Sequence, residues 1–282
     1  MSDTVAVIGA SGVLGRATVP RLLEAGHQVR ALVRSAAQAV RLRAFGAVPV
    51  AGDILDPHSL APLLAGCSAA LHLATAIPKS RDPAAWATND RIRREGTTNL
   101  IAACAAAGAR RYVQQSIAML QGGQGEAWAD EAVTPVANRY SQSALDMEGL
   151  VQASGLDWLI LRGGMFYGPG TGLDAGWRQA AREGTLRVPG DGNAFISLIE
   201  VSDMAAATVS ALVAPPRSLV AVVDDEPARY RALFGHVAAV EGMPAPAGGG
   251  PDLWPSFRVT NRAAKALLGW RPHYRSFRSG IV

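Results

Sequence analysis

Three evenly spaced glycines, in Gly9-Ala10-Ser11-Gly12-Val13-Leu14-Gly15, follow directly on the apolar run Val5-Ala6-Val7-Ile8. Glycine lets a main chain come close to a pyrophosphate. A helix opening at such a turn offers free N–H groups and the positive end of its dipole to phosphate oxygens. The apolar run reads as a buried strand and the glycines as a turn into a helix, so this corner is a candidate dinucleotide cradle. Its spacing is Gly-x-x-Gly-x-x-Gly, distinct from the commoner Gly-x-Gly-x-x-Gly fingerprint. Any strand-to-helix corner can use three glycines; the strand before and the helix after them single these out.

About twenty residues further on, a second strand ends at Leu32-Val33-Arg34-Ser35, where a side chain reaches the adenosine ribose of a bound dinucleotide. An acidic residue there would accept from a free 2′-hydroxyl, whereas a guanidinium forms a charge-assisted fork with a 2′-phosphate. Arg34 therefore points to NADP(H) in preference to NAD(H). The plainer reading is a solvated arginine, in a chain whose only lysines are Lys79 and Lys265.

The elements that must position these residues alternate. A helix over Gly12 to Ala25, with Pro20 inside it, stops at Gly26. Gln28 to Val33 is the second strand, and Arg41 to Phe45 a short helix closed by Gly46. Val48 to Val50 is the third strand. Asp56 caps a helix whose first residue is Pro57, and Ala69 to Ala74 is the fourth strand. Ile92 to Ala107 is a long helix ending at Gly108, Tyr112 to Gln115 a fifth strand, Tyr140 to Ala153 a helix and Trp158 to Leu161 a sixth strand. This rhythm predicts an α/β fold, a parallel doubly wound Rossmann sheet with helices on both faces. Past Leu161 glycines and prolines cluster, first at Gly163 to Gly172 and again at Pro244 to Pro251, which predicts a smaller carboxyl-terminal substrate lobe. The expected division is a dinucleotide-binding domain over 1–163, joined again by 196–223, with 164–195 and 224–282 forming the lobe. No internal repeat or low-complexity segment interrupts it.

At 282 residues, with 49% hydrophobic and 18% charged, the chain has the balance of a packed protein and not of a disordered one. Its net charge of +4 comes from scattered arginines, without the dense basic block that nucleic acid would require. Cys67 and Cys104 are too few for a disulfide scaffold or a metal site, so a reducing cytoplasm is expected. Asp3 and the glycine turn break any signal-peptide pattern, and Pro62, Gly66, Ser68 and His72 break the uncharged stretch from Pro57 to Pro78, so neither secretion nor a membrane is expected.

Taken in order, these pieces resemble the extended, epimerase/dehydratase-like branch of the short-chain dehydrogenase/reductase superfamily. The resemblance runs through the Gly9/Gly12/Gly15 turn, Gly52-Asp53-Ile54-Leu55-Asp56, Leu71-His72-Leu73-Ala74 and Glu95-Gly96-Thr97-Thr98-Asn99-Leu100. It continues through Tyr140, Tyr167-Gly168-Pro169-Gly170, Ile199-Glu200-Val201-Ser202-Asp203 and Leu267-Leu268-Gly269-Trp270-Arg271-Pro272. It implies that Gly9, Ser11, Gly12, Val13, Leu14 and Gly15 hold the diphosphate, and that Asp53 and Ile54 meet the adenine. Ala74, Thr75 and Ala76 would lie along the nucleotide, and Gly164 and Met165 would face the carboxamide, although Gly163 replaces the usual proline. Helices around Gly96 to Ala107 and Tyr140 to Ala153 pair across a two-fold axis in such proteins, so a homodimer is expected, with Ala102, Ala103, Ala105, Ala106 and Ala107 as a small-residue face. His72 and Trp270 read as core, Asp203 as the start of a helix and Thr260 as a cap.

The chain departs from that family at its chemistry. The pattern pairs Tyr with Lys four residues on, so that the ammonium activates the phenol and holds the nicotinamide ribose. Here Tyr140-Ser141-Gln142-Ser143-Ala144 has alanine in the lysine's place. After the fifth strand Ser116-Ile117 aligns with the usual hydroxyl pair, with Ile117 where the acting hydroxyl normally sits. Three readings follow. In one, Tyr140 donates a proton while NADPH reduces a carbonyl or activated alkene, and Ser116 or Ser143 orients the substrate. In another, Lys79, Arg81, Asp130 or Glu131 supplies the acid or base; non-redox isomerase, lyase or cyclase chemistry on the same fold is a separate alternative. In the third, the nucleotide is bound without turnover, by a sensor or scaffold. Phe166, Tyr167, Trp177, Phe195 and Trp254 lean toward an apolar or aromatic small molecule.

Overall fold

The computed structural model describes residues 3–78, 82–251 and 255–282. Strands and helices alternate at first: β1 (Thr4–Ile8), α1 (Val13–Glu24), β2 (Gln28–Val33), α2 (Ala36–Phe45), β3 (Val48–Ala51), α3 (Leu60–Leu64) and β4 (Ala69–His72). Next, α4 (Ala87–Arg91) passes through a π-helical turn at Ile92–Gly96 into α5 (Thr97–Ala107), followed by β5 (Arg111–Ile117). Then come α6 (Gln142–Gln152), β6 (Asp157–Gly163), β7 (Met165–Tyr167) and α7 (Leu173–Arg182). The chain continues as β8 (Phe195–Ile196), β9 (Leu198–Glu200), α8 (Val201–Ser210), β10 (Ser218–Val222), β11 (Ala228–Arg229), α9 (Tyr230–Val240), α10 (Arg262–Leu268) and α11 (Phe277–Gly280).

Seven strands form one sheet in the order β10-β6-β5-β4-β1-β2-β3. The β1–β2, β1–β4, β2–β3 and β4–β5 pairs are all parallel. This is the Rossmann-like α/β arrangement read from the alternation. Parallel strands covered on both faces need continuous apolar runs, and Val5, Ala6 and Val7 are fully buried. From β1 the strand order runs one way to β2 and the other way to β4. Ligands of open α/β sheets bind beyond the strand ends at such a reversal.

The chain divides into two compact units. The first comprises Met1–Ser116, Ala137–Leu161 and Ala205–Leu219, and its core includes Ile8, Leu63, Leu100, Tyr112 and Ile160. The second comprises Ile117–Val136, Arg162–Met204 and Val220–Val282, with Tyr167, Ile196, Leu233, Phe234 and Phe277 in its core. It also holds the parallel β7–β9 and antiparallel β8–β11 pairs. In the second unit Asp203 stands in the first turn of α8, and its carboxylate accepts from the N–H groups of His273 and Tyr274 at 3.0 and 2.8 Å. Trp270 is buried and its indole donates to the carbonyl of Asp203.

Four local expectations need correction. Helix α2 begins at Ala36, five residues before the expected Arg41, because the Ser35 hydroxyl caps it by accepting from Gln38 N–H. The helix expected to run unbroken from Ile92 to Ala107 contains the π-helical turn, which buries Ile92, Arg93 and Gly96. Helix α6 starts at Gln142, not Tyr140. The cap position of α10 is Asn261, not Thr260, whose hydroxyl accepts from Arg262 two residues on.

Candidate functional site

The glycine corner is shaped by backbone contact. Gly9 has φ of +85°, and a Cβ there would sit 2.6 Å from the amide nitrogen of Ala74. A Cβ on Gly15 would meet the carbonyl oxygen of Gly9 at 2.2 Å. These two glycines are therefore demanded by close packing of the turn against its own helix and the loop after β4. Gly12 caps α1, and no side chain caps the helix and no acid stands in its first turn. The first-turn N–H groups, with the positive end of the dipole, are thus left for an anion, and a nucleotide diphosphate fits them.

Arg34 is exposed where β2 ends, and its N–H donates to Gln38 Oε1 at 2.8 Å. Asp53 Oδ1 accepts from Leu55 N–H at 3.0 Å, closing a turn. The Ile54 side chain is buried beneath Gly96, and its carbonyl accepts from Asn99. Ala76 N–H donates to Asn89 Oδ1 at 3.0 Å, tying the loop after β4 to α4. In the second unit, Gly164 and Met165 donate their N–H groups to the carbonyls of Val222 and Ser197, so neither amide is left to donate to a ligand. A Cβ on Gly164 would lie 2.8 Å from the backbone of Leu198, which accounts for glycine at that position.

Tyr140 precedes α6 in a turn organised by Asn138, whose Oδ1 accepts from the N–H groups of Tyr140 and Ser141 at 2.9 and 3.2 Å. The Tyr140 ring lies 5.0 Å from that of Trp86. The Arg139 guanidinium stands 4.5 Å over its centroid, and Nη2 donates to the phenolic oxygen. Ser116 Oγ donates to Glu148 Oε1 at 2.6 Å, and both residues are buried. Ser143 is buried as well, and its hydroxyl accepts from Arg93 Nη1 at 3.2 Å. His72 is packed in β4; burial, with a smaller push from Arg93, takes it down to about 4, so it is neutral.

Other acid/base candidates are committed elsewhere. Asp130 closes a turn to Ala132, and Glu131 accepts the N–H of Ala221 in β10 at 2.7 Å. Lys79, Arg81 and Trp254 lie outside the described residues. Tyr167 and Phe195 are core residues of the second unit, and Trp177 packs on Phe234 at 5.5 Å. All three pack within the second unit. Cys67 and Cys104 are free and buried, and burial raises both thiols, Cys104 to about 12. Sequence reasoning missed Arg93 and Arg139. A signal for Arg93 existed: it falls on one helical stripe with Thr97, Leu100 and Cys104, where an apolar side chain is expected.

A family model described as NAD(P)H-binding matches residues 9–215. The chain belongs to this family, within the short-chain dehydrogenase/reductase superfamily. A Streptomyces protein, 3-diazoavenalumate denitrifying reductase, is 36% identical over 306 aligned positions covering 98% of each chain. The 2-alkyl-3-oxoalkanoate reductase of Stenotrophomonas maltophilia is 28% identical, covering 85% of this chain and 76% of that protein. Among solved structures, UDP-glucose 4-epimerase of Thermotoga maritima superposes with a TM-score of 0.83 at 20% identity, over 99% of this chain and 96% of that one. The reductase relatives support an oxidoreductase in general, and the solved structure supports the fold. No helix among the described residues is long and apolar enough to cross a membrane.

Proposed function

We propose that this member of the superfamily is an NADP(H)-dependent reductase of a small molecule bearing a carbonyl or activated alkene, with Tyr140 as proton donor. The observation that carries this is the phenol of Tyr140, set against Trp86 and hydrogen-bonded by a guanidinium, in the unit that holds the diphosphate cradle. A bound reduced nicotinamide supplies the hydride. Tyr140 gives its proton to the substrate atom that gains charge, and Arg139 stabilises the phenolate left behind. Ser116 already shares its proton with Glu148, so it offers a ligand only its lone pairs and leaves donation to Tyr140. Arg34, open to solvent at the end of β2, selects the 2′-phosphate of NADP(H). The names of the two reductase relatives describe substrates that are carboxylate anions, and we carry over that class.

The test is oxidation of NADPH against a panel of carbonyl acids, with Tyr140→Phe beside the wild type. Turnover that falls by about 10²–10⁴ in the variant, with NADPH affinity kept, is the expected result. Tight NADPH binding without turnover points instead to a sensor, and conversion without a change in nicotinamide absorbance to a non-redox enzyme.

The same reading includes a homodimer through α5 and α6. Ala102, Ala105, Ala106 and Ala107 are exposed on α5, and a groove of about 750 Å³ is lined by Leu55, Thr98 and Asn99 together with Gly149 and Leu150 of α6. Sedimentation should give a dimer that Leu150→Arg converts to monomer.

A further inference from the structure

Arg93 is 3% exposed, at a position where the helical stripe otherwise carries Thr97, Leu100 and Cys104. Its Nη1 donates to the carbonyl of Tyr140 at 3.3 Å and to Ser143 Oγ at 3.2 Å. A guanidinium has five N–H donors on three nitrogens, and both of these bonds use one nitrogen. Nε and Nη2 make no hydrogen bond to the described residues. No ion pair among the described residues includes Arg93. Burial pulls it down to about 10, with Asp90 opposing and Arg94 adding to the fall. A buried cation is normally paired, since leaving it unpaired costs several kcal/mol. Nε and Nη2 of this one have no hydrogen-bond partner among the described residues, beside the turn of Tyr140.

The next residue after Ser143 is Ala144, fully buried, where the Tyr-x-x-x-Lys pattern would place its ammonium. The positive charge that the sequence lacks at 144 is therefore brought in from the π-helical turn ahead of α5. We propose that Arg93 is the positioning cation of this site: it pins the turn that carries Tyr140, and its free N–H groups hold the ribose hydroxyls of a bound nicotinamide nucleotide. The proposal deepens the reductase reading and rests on the same Tyr140 site. Its test uses coenzyme affinity, which is measurable whether or not any substrate turns over.

Calorimetry with NADPH is run on the wild type, Arg93→Gln, Arg93→Lys and the double variant Arg93→Gln/Ala144→Lys. Loss of a charge-assisted contact should weaken NADPH by about tenfold or more in Arg93→Gln, and the double variant should recover most of that loss. Arg93→Lys keeps the charge but not the planar fork, so its loss of affinity should lie between wild type and Arg93→Gln. A purely structural arginine would lower the melting temperature of Arg93→Gln and leave the affinity of the folded protein unchanged; that outcome overturns the proposal. A double variant no better than Arg93→Gln overturns it too. If Arg93→Gln does not fold, a clear loss of NADPH affinity in folded Arg93→Lys, whose ammonium lacks the planar fork, supports the proposal, and an unchanged affinity overturns it. Should Arg93→Gln bind NADPH normally but show a raised KM, the cation serves the substrate and the ribose assignment is wrong. Wild-type protein that binds NADPH but reduces nothing defeats the reductase reading alone.

Discussion

Ser116, next to last in β5, donates its hydroxyl to Oε1 of Glu148 on α6 at 2.6 Å, and both residues are 1% exposed. A carboxylate taken this far from water needs donors close by, and the strand supplies one. The pair ties β5 to the helix that Tyr140 introduces, so the Ser116 hydroxyl is spent on holding that helix.

Replacing Ser116 by Ala should accordingly cost about 1–3 kcal/mol of stability, as expected for removing a hydrogen bond to a charged group. Glu148→Gln, which keeps an acceptor oxygen, should cost less. Urea denaturation of the two variants is the check, and a loss below about 0.5 kcal/mol in Ser116→Ala would mean that the contact contributes no more than a surface substitution.

Arg34→Asp should reverse coenzyme preference. The exposed guanidinium contributes through a charge-assisted contact, so its removal should weaken NADPH by about tenfold, while the new carboxylate accepts from the 2′-hydroxyl of NADH and strengthens it. The wild-type preference should also shrink as salt rises, because the arginine is open to solvent. Calorimetry at two ionic strengths reads both effects; an unchanged ratio of affinities removes Arg34 from the coenzyme site.

His72 makes the first unit acid-sensitive. Burial lowers it from the ordinary 6.5 to about 4, so between those values the unfolded chain binds a proton that the folded chain refuses. Its contribution is complete above pH 6.5 and is lost on acidification toward pH 4, with a size of about 3 kcal/mol. His72→Gln should flatten that part of the stability profile. Parallel profiles for wild type and variant from pH 7 to 4 would show that the ring is not neutral in the folded protein.

Asp224 acts with the opposite sign in the second unit. It is 2% exposed, its Oδ2 accepts from Tyr167 Oη at 3.0 Å, and burial raises it well above the usual carboxyl range, with Asp203 and Asp225 adding to the rise. The folded form keeps the proton while the unfolded form releases it above about pH 4, so its contribution is present in acid and is lost as pH rises. Asp224→Asn, neutral at every pH, should melt higher than the wild type at neutral pH and lose this advantage near pH 4. A variant that melts lower throughout would mean that the carboxylate is charged and paired.

Much of the glycine corner was legible because its causes are local. The run Val5 to Ile8 is apolar and β-branched, Gln28 to Val33 alternates into a strand with the bounds expected, and Asp56 caps the turn that begins at Pro57. The glycines announce themselves by the steric room a tight turn requires, and the Cβ clashes at Gly9 and Gly15 are the same constraint seen in space. Less of the chemistry was legible. Tyr140 sits ahead of its helix because the Asn138 side chain captures the N–H groups of Tyr140 and Ser141, a competition that helical periodicity does not register. Thr260 and Asn261 are both plausible caps by type, and only the backbone around them distinguishes the two.

From its sequence alone this protein is an α/β chain with a three-glycine turn into its first helix, an arginine after its second strand and no lysine four residues after Tyr140. Those properties follow from residue type and spacing within a few turns of chain. The tertiary structure decided where the polar groups go: Glu131 to the amide of Ala221, Glu148 to Ser116, Arg93 to the turn of Tyr140. Each partnership spans 32 or more residues of sequence. A buried polar group takes whichever partner the fold brings near, so packing, and not local propensity, makes that choice.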